Sequence, residues 1–212
     1  MEITYFGHSC FRLKSKDITI ICDPYSPEIG LRLPKKLEAD ITTVSHGHYD
    51  HNFTEGISSS LIISGPGEYE KKGVFIWGIS SFHDKEKGKK KGKNTIYLVE
   101  VDGLRICHLG DLGHLLEDEE LEDIGKVDIL FIPVGGNFTI NFKEATAVVS
   151  ALEPKIVIPM HYQMEKLKID LEPSSKFCQE MGIPCQNEDK LILSVKDLPE
   201  EEKIVILKPL SQ

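Results

Sequence analysis

Several things that would send a chain toward a membrane, an export route or nucleic acid are missing from this sequence. No apolar run approaches the roughly 18 residues that a membrane-spanning helix needs. The N-terminus, MEITYFGHSC, has neither the basic nor the apolar stretch of a secretory signal, so a cytoplasmic protein is expected. Positive charge is in short supply. Lys and Arg total 25 against 34 Asp and Glu, and the net charge of -9 disfavours a general nucleic-acid binder. The five cysteines (Cys10, Cys22, Cys107, Cys178 and Cys185) are odd in number and contain no C-x-x-C pair, which predicts reduced, mostly buried thiols. A G-x-S-x-G nucleophile elbow is absent, so nothing supports a serine hydrolase of that type. No internal repeat or linker divides the chain, and residues 1–212 are expected to form a single domain.

What is present is a run of short strand patterns followed by strands alternating with helices. EITYF, CFRL and ITIICDP, broken at Gly7 and at 15–17, suggest a meander. ADITTV, SLIIS, VFIWGISS, NTIYLVEV and LRICHLGD continue the series, and Asp102-Gly103 between two of them signals a hairpin. HLLEDEELEDI, NFKEATAVVSAL and PSSKFCQEMG have helical spacing, the last with Gly182 as a stop. DILFIP and KIVIPM follow helical patterns as βα units would. This order predicts an α/β protein, a four-layer αββα sandwich of two sheets with helices outside.

The densest chemistry is SHGHYDH, residues 45–51. Neutral imidazole is a good ligand for zinc, iron and related metals. In an extended segment His46 and His48 point the same way and can face one ion. Asp50 and His51, where the chain must turn, can face a second. Further ligand types sit at the ends of other strand patterns: His83 in GISSFHD, Asp111 in HLGDLGH and His161 in IPMHY. One site of His46, His48 and His83, another of Asp50, His51 and His161, and Asp111 as a bridge would complete a two-metal centre.

HGHYDH, then FH, GD and MHY in that order, resemble the metallo-β-lactamase superfamily, over roughly residues 1–165. FGHSCF, ICDP, HLGDLGH and IPVGGNFT are similar to a narrower branch of small bacterial and archaeal hydrolases that includes the ascorbate-6-phosphate lactonases. The resemblance implies an αββα sandwich with a dinuclear site at one sheet edge, commonly zinc and sometimes manganese or iron. It carries the ligand roles onto His46, His48, Asp50, His51, His83, Asp111 and His161. Such a site holds a water between two cations and lowers its pKa toward neutrality. The resulting hydroxide would attack an ester, lactone, amide or phosphoester, with Asp50 serving both as ligand and in orienting it. His48 stands where diiron flavoprotein relatives have Glu, and the chain has no room for their flavin domain or for the extra domain of RNA-processing relatives. A metal-binding or sensing module using the same ligands is the alternative function.

The remaining polar residues have expected roles around such a site. His8, after Gly7, is a candidate for the rim, facing substrate or supporting a ligand. His114, after Gly113, is a candidate proton donor, and His108 reads as core or support. Asp23 in CDP would accept the free N–H of a ligating imidazole. The turn from Gly135 to Asn137 allows close backbone approach, and the resemblance puts it near the site. Between Asp84 and Lys93 six lysines face only Asp84 and Glu86. Gly88 and Gly92 suggest a flexible loop, and Lys89, Lys90 and Lys91 would form a collar that concentrates an anionic small-molecule substrate. Neither a membrane nor a nucleic-acid partner is expected.

Overall fold

The computed structural model describes residues 1–210. The chain opens with the expected meander of β1 (Glu2–Gly7), β2 (Cys10–Lys14) and β3 (Thr19–Cys22), each pair antiparallel. β4 (Leu37–Ala39), β5 (Ile41–Val44), β6 (Ile57–Ser59) and β7 (Ile62–Ser64) follow. Next come β8 (Gly67–Lys71), β9 (Val74–Phe82), β10 (Lys93–Val101) and β11 (Leu104–His108). The βα part is α1 (Asp118–Ile124), β12 (Ile129–Pro133), α2 (Phe142–Leu152), β13 (Ile156–Met160) and α3 (Ser174–Met181). β14 (Cys185–Glu188), β15 (Leu191–Ile192) and β16 (Lys203–Leu207) close the described chain.

Two sheets stack face to face. One runs β15-β1-β2-β3-β5-β7 and the other β14-β16-β13-β12-β11-β10-β9-β8. Side chains alternate across the first sheet, as the two-residue period of a strand demands. Ile3, Tyr5, Phe11, Leu13, Ile20 and Cys22 join the core between the sheets. Phe6, Cys10 and Ile21 face outward onto a second cluster with Tyr25, Ile29, Leu31 and Leu171. Phe11 ties the two sheets, because its ring stacks on Tyr5 at 4.8 Å and on Phe131 of β12 at 4.1 Å. Truncating so buried an aromatic to alanine costs about 3–5 kcal/mol.

Helix α2 is amphipathic in the expected way. Asn141 caps it by accepting from Lys143 and Glu144 N–H, and Ala145, Val148, Val149 and Leu152 are buried. Asp102 and Gly103, both at positive φ, close the β10–β11 hairpin as expected for a type I′ turn. The helix expected to begin near His114 begins instead at Asp118. Glu120 accepts from Glu117 N–H and fixes the start there, while the His114 ring engages the Leu115 carbonyl.

The cysteines depart from expectation. Cys10, Cys22 and Cys107 are free and buried, but Cys178 and Cys185 form a disulfide. α3 ends at the left-handed Gly182, and the chain turns straight into β14, which brings the two Cα atoms to 6.0 Å. No helix among the described residues is long and apolar enough to cross a membrane.

Candidate metal centre

Strand direction assembles the site. In the first sheet two antiparallel steps separate β1 from β3, and β3 pairs parallel with β5, so β1, β3 and β5 run the same way. In the second sheet β9, β11 and β13 share one direction by the same logic. The residues just past these six carboxyl ends are His8, Asp23, His46, His83, Asp111 and His161. His8, Asp23 and His161 adopt positive φ (55, 43 and 50°), which turns each side chain sharply off its strand. Two glycines let ligand backbones approach: a Cβ on Gly113 would lie 2.2 Å from the His83 carbonyl carbon, and one on Gly135 2.1 Å from the His161 oxygen.

Three groups of ligand atoms converge, each within 4.8 Å: His46, His48 and His83; His46, His51 and Asp111; and His8, Asp50, His51 and His161. Asp111 lies between the halves. Its Oδ2 is 3.1 Å from His83 Nε2 and 3.2 Å from His161 Nε2, and its Oδ1 is 3.1 Å from His51 Nε2. His46 and His48 meet through a bend rather than the extended segment expected, their rings 4.6 Å apart and edge to face. The donor set fits a cation. The buried Nε2 atoms of His46, His51 and His161 and Oδ1 of Asp111 have no partner with hydrogen-bond geometry, although they face one another. Buried polar atoms without partners are costly, and positive charge placed among them would offset that cost.

Supporting contacts fix the ring orientations. Asp23 Oδ2 is 2.8 Å from His51 Nδ1 and 2.5 Å from Ser45 Oγ, and its Oδ1 accepts from Ser45 N–H. Ser45 Oγ in turn lies 2.9 Å from His46 Nδ1. His8 Nε2 is 3.1 Å from Asp50 Oδ2, and the His8 carbonyl accepts from His161 N–H. Asn94, absent from the sequence reading, accepts from Asp111 N–H and donates to Ser81 Oγ and the Leu109 carbonyl. Its only sequence signal is a polar residue at the head of an apolar strand. Burial holds His8 at about 4 and His46 at about 3, which keeps both imidazoles neutral. Burial also opposes charge on His51, but the Asp111 and Asp23 carboxylates outweigh it and raise its pKa.

The other expected residues fall in different places. His114 is not brought to the ligand groups. Its Nε2 accepts from Phe82 N–H, and its Nδ1 meets the Leu115 carbonyl. His108 is buried beside the stacked Phe11–Phe131 pair and edge-on to both rings, with Nε2 on the Ser9 carbonyl. Above the ligands opens a cleft of about 510 Å³, in whose wall stand His48, Asp50, His83 and Asp111 together with Lys90, Lys91 and Lys168. Lys91 Nζ donates to the Asn137 and Phe138 carbonyls, and Asn137 Nδ2 to the Asp170 carbonyl, so Asn137 ties the rim loops together. Lys90 pairs with Glu86, while Lys89 is exposed and absent from the cleft wall.

The lysine loop differs from the flexible one expected. The Asp84 carboxylate accepts four backbone N–H groups, from Glu86, Gly88, Lys90 and Lys91, at 2.7–3.1 Å. These donors, Lys91 foremost, lower its pKa to about 2. Gly88 and Gly92 take positive φ in that wrap instead of loosening it.

Comparison with known proteins agrees with this architecture. A family model described as "Beta-lactamase superfamily domain" matches residues 2–161. A Carboxydothermus hydrogenoformans protein named "UPF0173 metal-dependent hydrolase" is 30% identical over 193 residues, covering 76% of this chain and 84% of that protein. A Thermococcus onnurineus protein of the same name is 30% identical over 191 residues with the same coverage. Among solved structures, a Thermotoga maritima protein provisionally described as a Zn-dependent hydrolase of the metallo-β-lactamase superfamily superposes with a TM-score of 0.81. It is 38% identical, and the match covers 97% of each chain. Igni18, a metallo hydrolase from Ignicoccus hospitalis, shares the fold at a TM-score of 0.68 and 20% identity, covering 100% of this chain and 97% of that one.

Proposed function

The chain belongs to the β-lactamase superfamily, and from that premise we propose that it is a metal-dependent hydrolase with a dinuclear centre, cleaving an ester, lactone or phosphoester of a small anionic molecule. One observation carries the reading: the unpartnered, buried Nε2 atoms of His46, His51 and His161 lie 3.1–3.9 Å from the two oxygens of the Asp111 carboxylate, whose Oδ1 is itself unpartnered. His46, His48 and His83 would hold one ion; Asp50, His51 and His161 the other; Asp111 both. Zinc suits five imidazoles, and the same donors accept manganese or iron. Bound there, the ions would supply Lewis acidity and bring the pKa of a water toward neutrality.

The chain's own residues do the positioning. Asp23 holds the His51 ring and Ser45 the His46 ring, so both present Nε2 to the centre. His8 Nε2 lies against Asp50 Oδ2, the oxygen that also faces His51 Nε2 at 3.6 Å, and so fixes which carboxylate edge meets the ion. Lys91 and Lys168, both in the cleft wall, would draw in an anion. His114, whose ring nitrogens meet backbone groups, takes no part in this scheme. Residues 1–212 act as one domain in this reading, since a single core cluster runs through both sheets.

The test pairs elemental analysis with turnover. Metal-loaded protein is expected to hold two equivalents and to hydrolyse some member of a panel of anionic esters, lactones and phosphodiesters, with activity lost on chelation. Tight metal binding with no turnover on the whole panel would favour a binding or sensing module instead.

A further inference from the structure

The cleft wall combines two chemistries. Lys90, Lys91 and Lys168 bring positive charge, and Tyr49, Phe138 and Ile169 bring apolar surface. Tyr49 is 54% exposed and Phe138 45%, two of the eight large apolar side chains left exposed among the described residues. Apolar side chains gathered at one concave place, rather than scattered, are a usual mark of a binding surface.

These groups come from three separate loops: those of Phe138 and Ile169 are fastened to each other through Asn137, and the Tyr49 carbonyl accepts from Ser26 N–H. Tyr49 stands between His48 and Asp50. Phe138 follows β12, and its carbonyl accepts from Lys91 Nζ at 2.6 Å, with the ammonium 5.2 Å from the ring centre. Ile169 lies between Lys168, whose N–H donates to the Ile29 carbonyl, and Asp170, whose carbonyl accepts from Asn137 Nδ2. The apolar wall is therefore preorganised, and a ligand need not order it. The two hydrogen bonds of Lys91 Nζ use two of its three donors and leave one for an incoming oxyanion. Lys168 Nζ has no carboxylate partner among the described residues, whereas the charge of Lys90 is offset by Glu86.

We infer that the site takes an amphipathic anion. Its negative group meets Lys91 and Lys168, and an apolar group attached to it lies on Tyr49, Phe138 and Ile169, with the scissile bond between them over the metal ligands. This rests on the hydrolase reading for the identity of the site and adds the substrate class. A purely polar anion would leave the Tyr49–Phe138 surface in water on binding, and a neutral apolar ester would leave the lysines unanswered.

The test is a binding series that needs no turnover. Methyl-, butyl- and hexylphosphonate are titrated calorimetrically into metal-loaded protein. Each added methylene is expected to tighten binding by roughly two- to fourfold until the wall is covered, since burying a methylene is worth up to about fourfold in affinity. Phe138→Ser and Tyr49→Ser should each flatten this slope and leave methylphosphonate affinity within about twofold. Metal content is checked in both, and Phe138→Ser decides if Tyr49→Ser disturbs the neighbouring ligands. Lys168→Ala should weaken every chain length by the same factor. Equal affinity for all three phosphonates in the wild type, or an unchanged slope in Phe138→Ser, overturns the inference. A protein that shows the slope but hydrolyses no ester fails the hydrolase reading and not this one.

Discussion

His8 Nε2 sits 3.1 Å from Asp50 Oδ2 across 42 residues of sequence. Two tight turns make the contact, one at the left-handed His8 closing β1 onto β2, the other in the 45–51 bend. Because that oxygen also faces His51 Nε2, loss of His8 would free Asp50 to swing away from the ion it would share with His51. His8→Ala is expected to weaken metal affinity by roughly 10- to 100-fold, the usual effect of removing a partner behind a ligand. The loss should fall on one equivalent and spare the His46–His48–His83 half. His8→Gln, which restores a donor, should recover part of it. Unchanged affinity for both equivalents in His8→Ala would remove His8 from the site.

Asp111 reaches both halves, so its removal should not resemble loss of a single-site ligand. His48→Ala is expected to bind one equivalent and Asp111→Ala to bind neither tightly. Thermal melts give an independent readout, because an ion that binds only the folded chain stabilises it. Each ion at 100 times its Kd adds about 2.7 kcal/mol, which for a chain of this size raises Tm by roughly 5–10 °C per ion. The wild type should show that rise and Asp111→Ala little of it. A variant that keeps one full equivalent and half the stabilisation would refute the bridge.

The convergence of the candidate ligands was legible because they follow apolar, β-branched runs, and parallel strand direction sends such ends to one edge. His83, Asp111 and His161 could be paired with the 45–51 motif on that basis alone. What sequence does not show is the contact between distant turns. Asp50 being held by His8, and Asp111 by Asn94, depends on β1 and β10 arriving beside other strands, which no local pattern states. The disulfide was hidden for the same kind of reason. Cys178 and Cys185 are seven positions apart, and the sharp reversal at Gly182 makes them neighbours. β8, GEYEK, is charged and largely exposed and carries no strand signal until its pairing with β9 is seen. The lysine loop misled because glycines often signal freedom, whereas here they supply positive φ around Asp84.

The disulfide closes a short loop between α3 and the edge strand β14. Chain-entropy reasoning assigns such a loop about 2–3 kcal/mol. Cys185→Ser should therefore lower Tm by roughly 4–10 °C under oxidising conditions. Reductant should lower the wild type by the same amount and leave the variant where it was. Metal content and turnover should not change, since neither cysteine belongs to the candidate ligand groups. If reductant leaves the wild-type Tm unmoved, the pair is not a stabilising crosslink.

The three lysines of the loop should not act alike. Lys91 Nζ is anchored at the rim by two carbonyls and lines the cleft, and burial lowers its pKa. Lys89 is exposed and outside the cleft wall. Replacing Lys91 with alanine is expected to raise KM for an anionic ester by roughly threefold at low salt, the scale of a partly exposed charge interaction, with kcat little changed. Raising salt should shrink the difference, because the Debye length falls from roughly 30 Å at 0.01 M to about 3 Å at 1 M. Lys89→Ala should leave KM alone at any salt. Asp84→Ala should match or exceed Lys91→Ala, because it releases the four backbone N–H groups that shape the loop and set where Lys91 begins. Equal effects of Lys89→Ala and Lys91→Ala would mean that the loop acts through diffuse charge alone, and that the anchoring of Lys91 at Asn137 and Phe138 has no bearing on substrate capture.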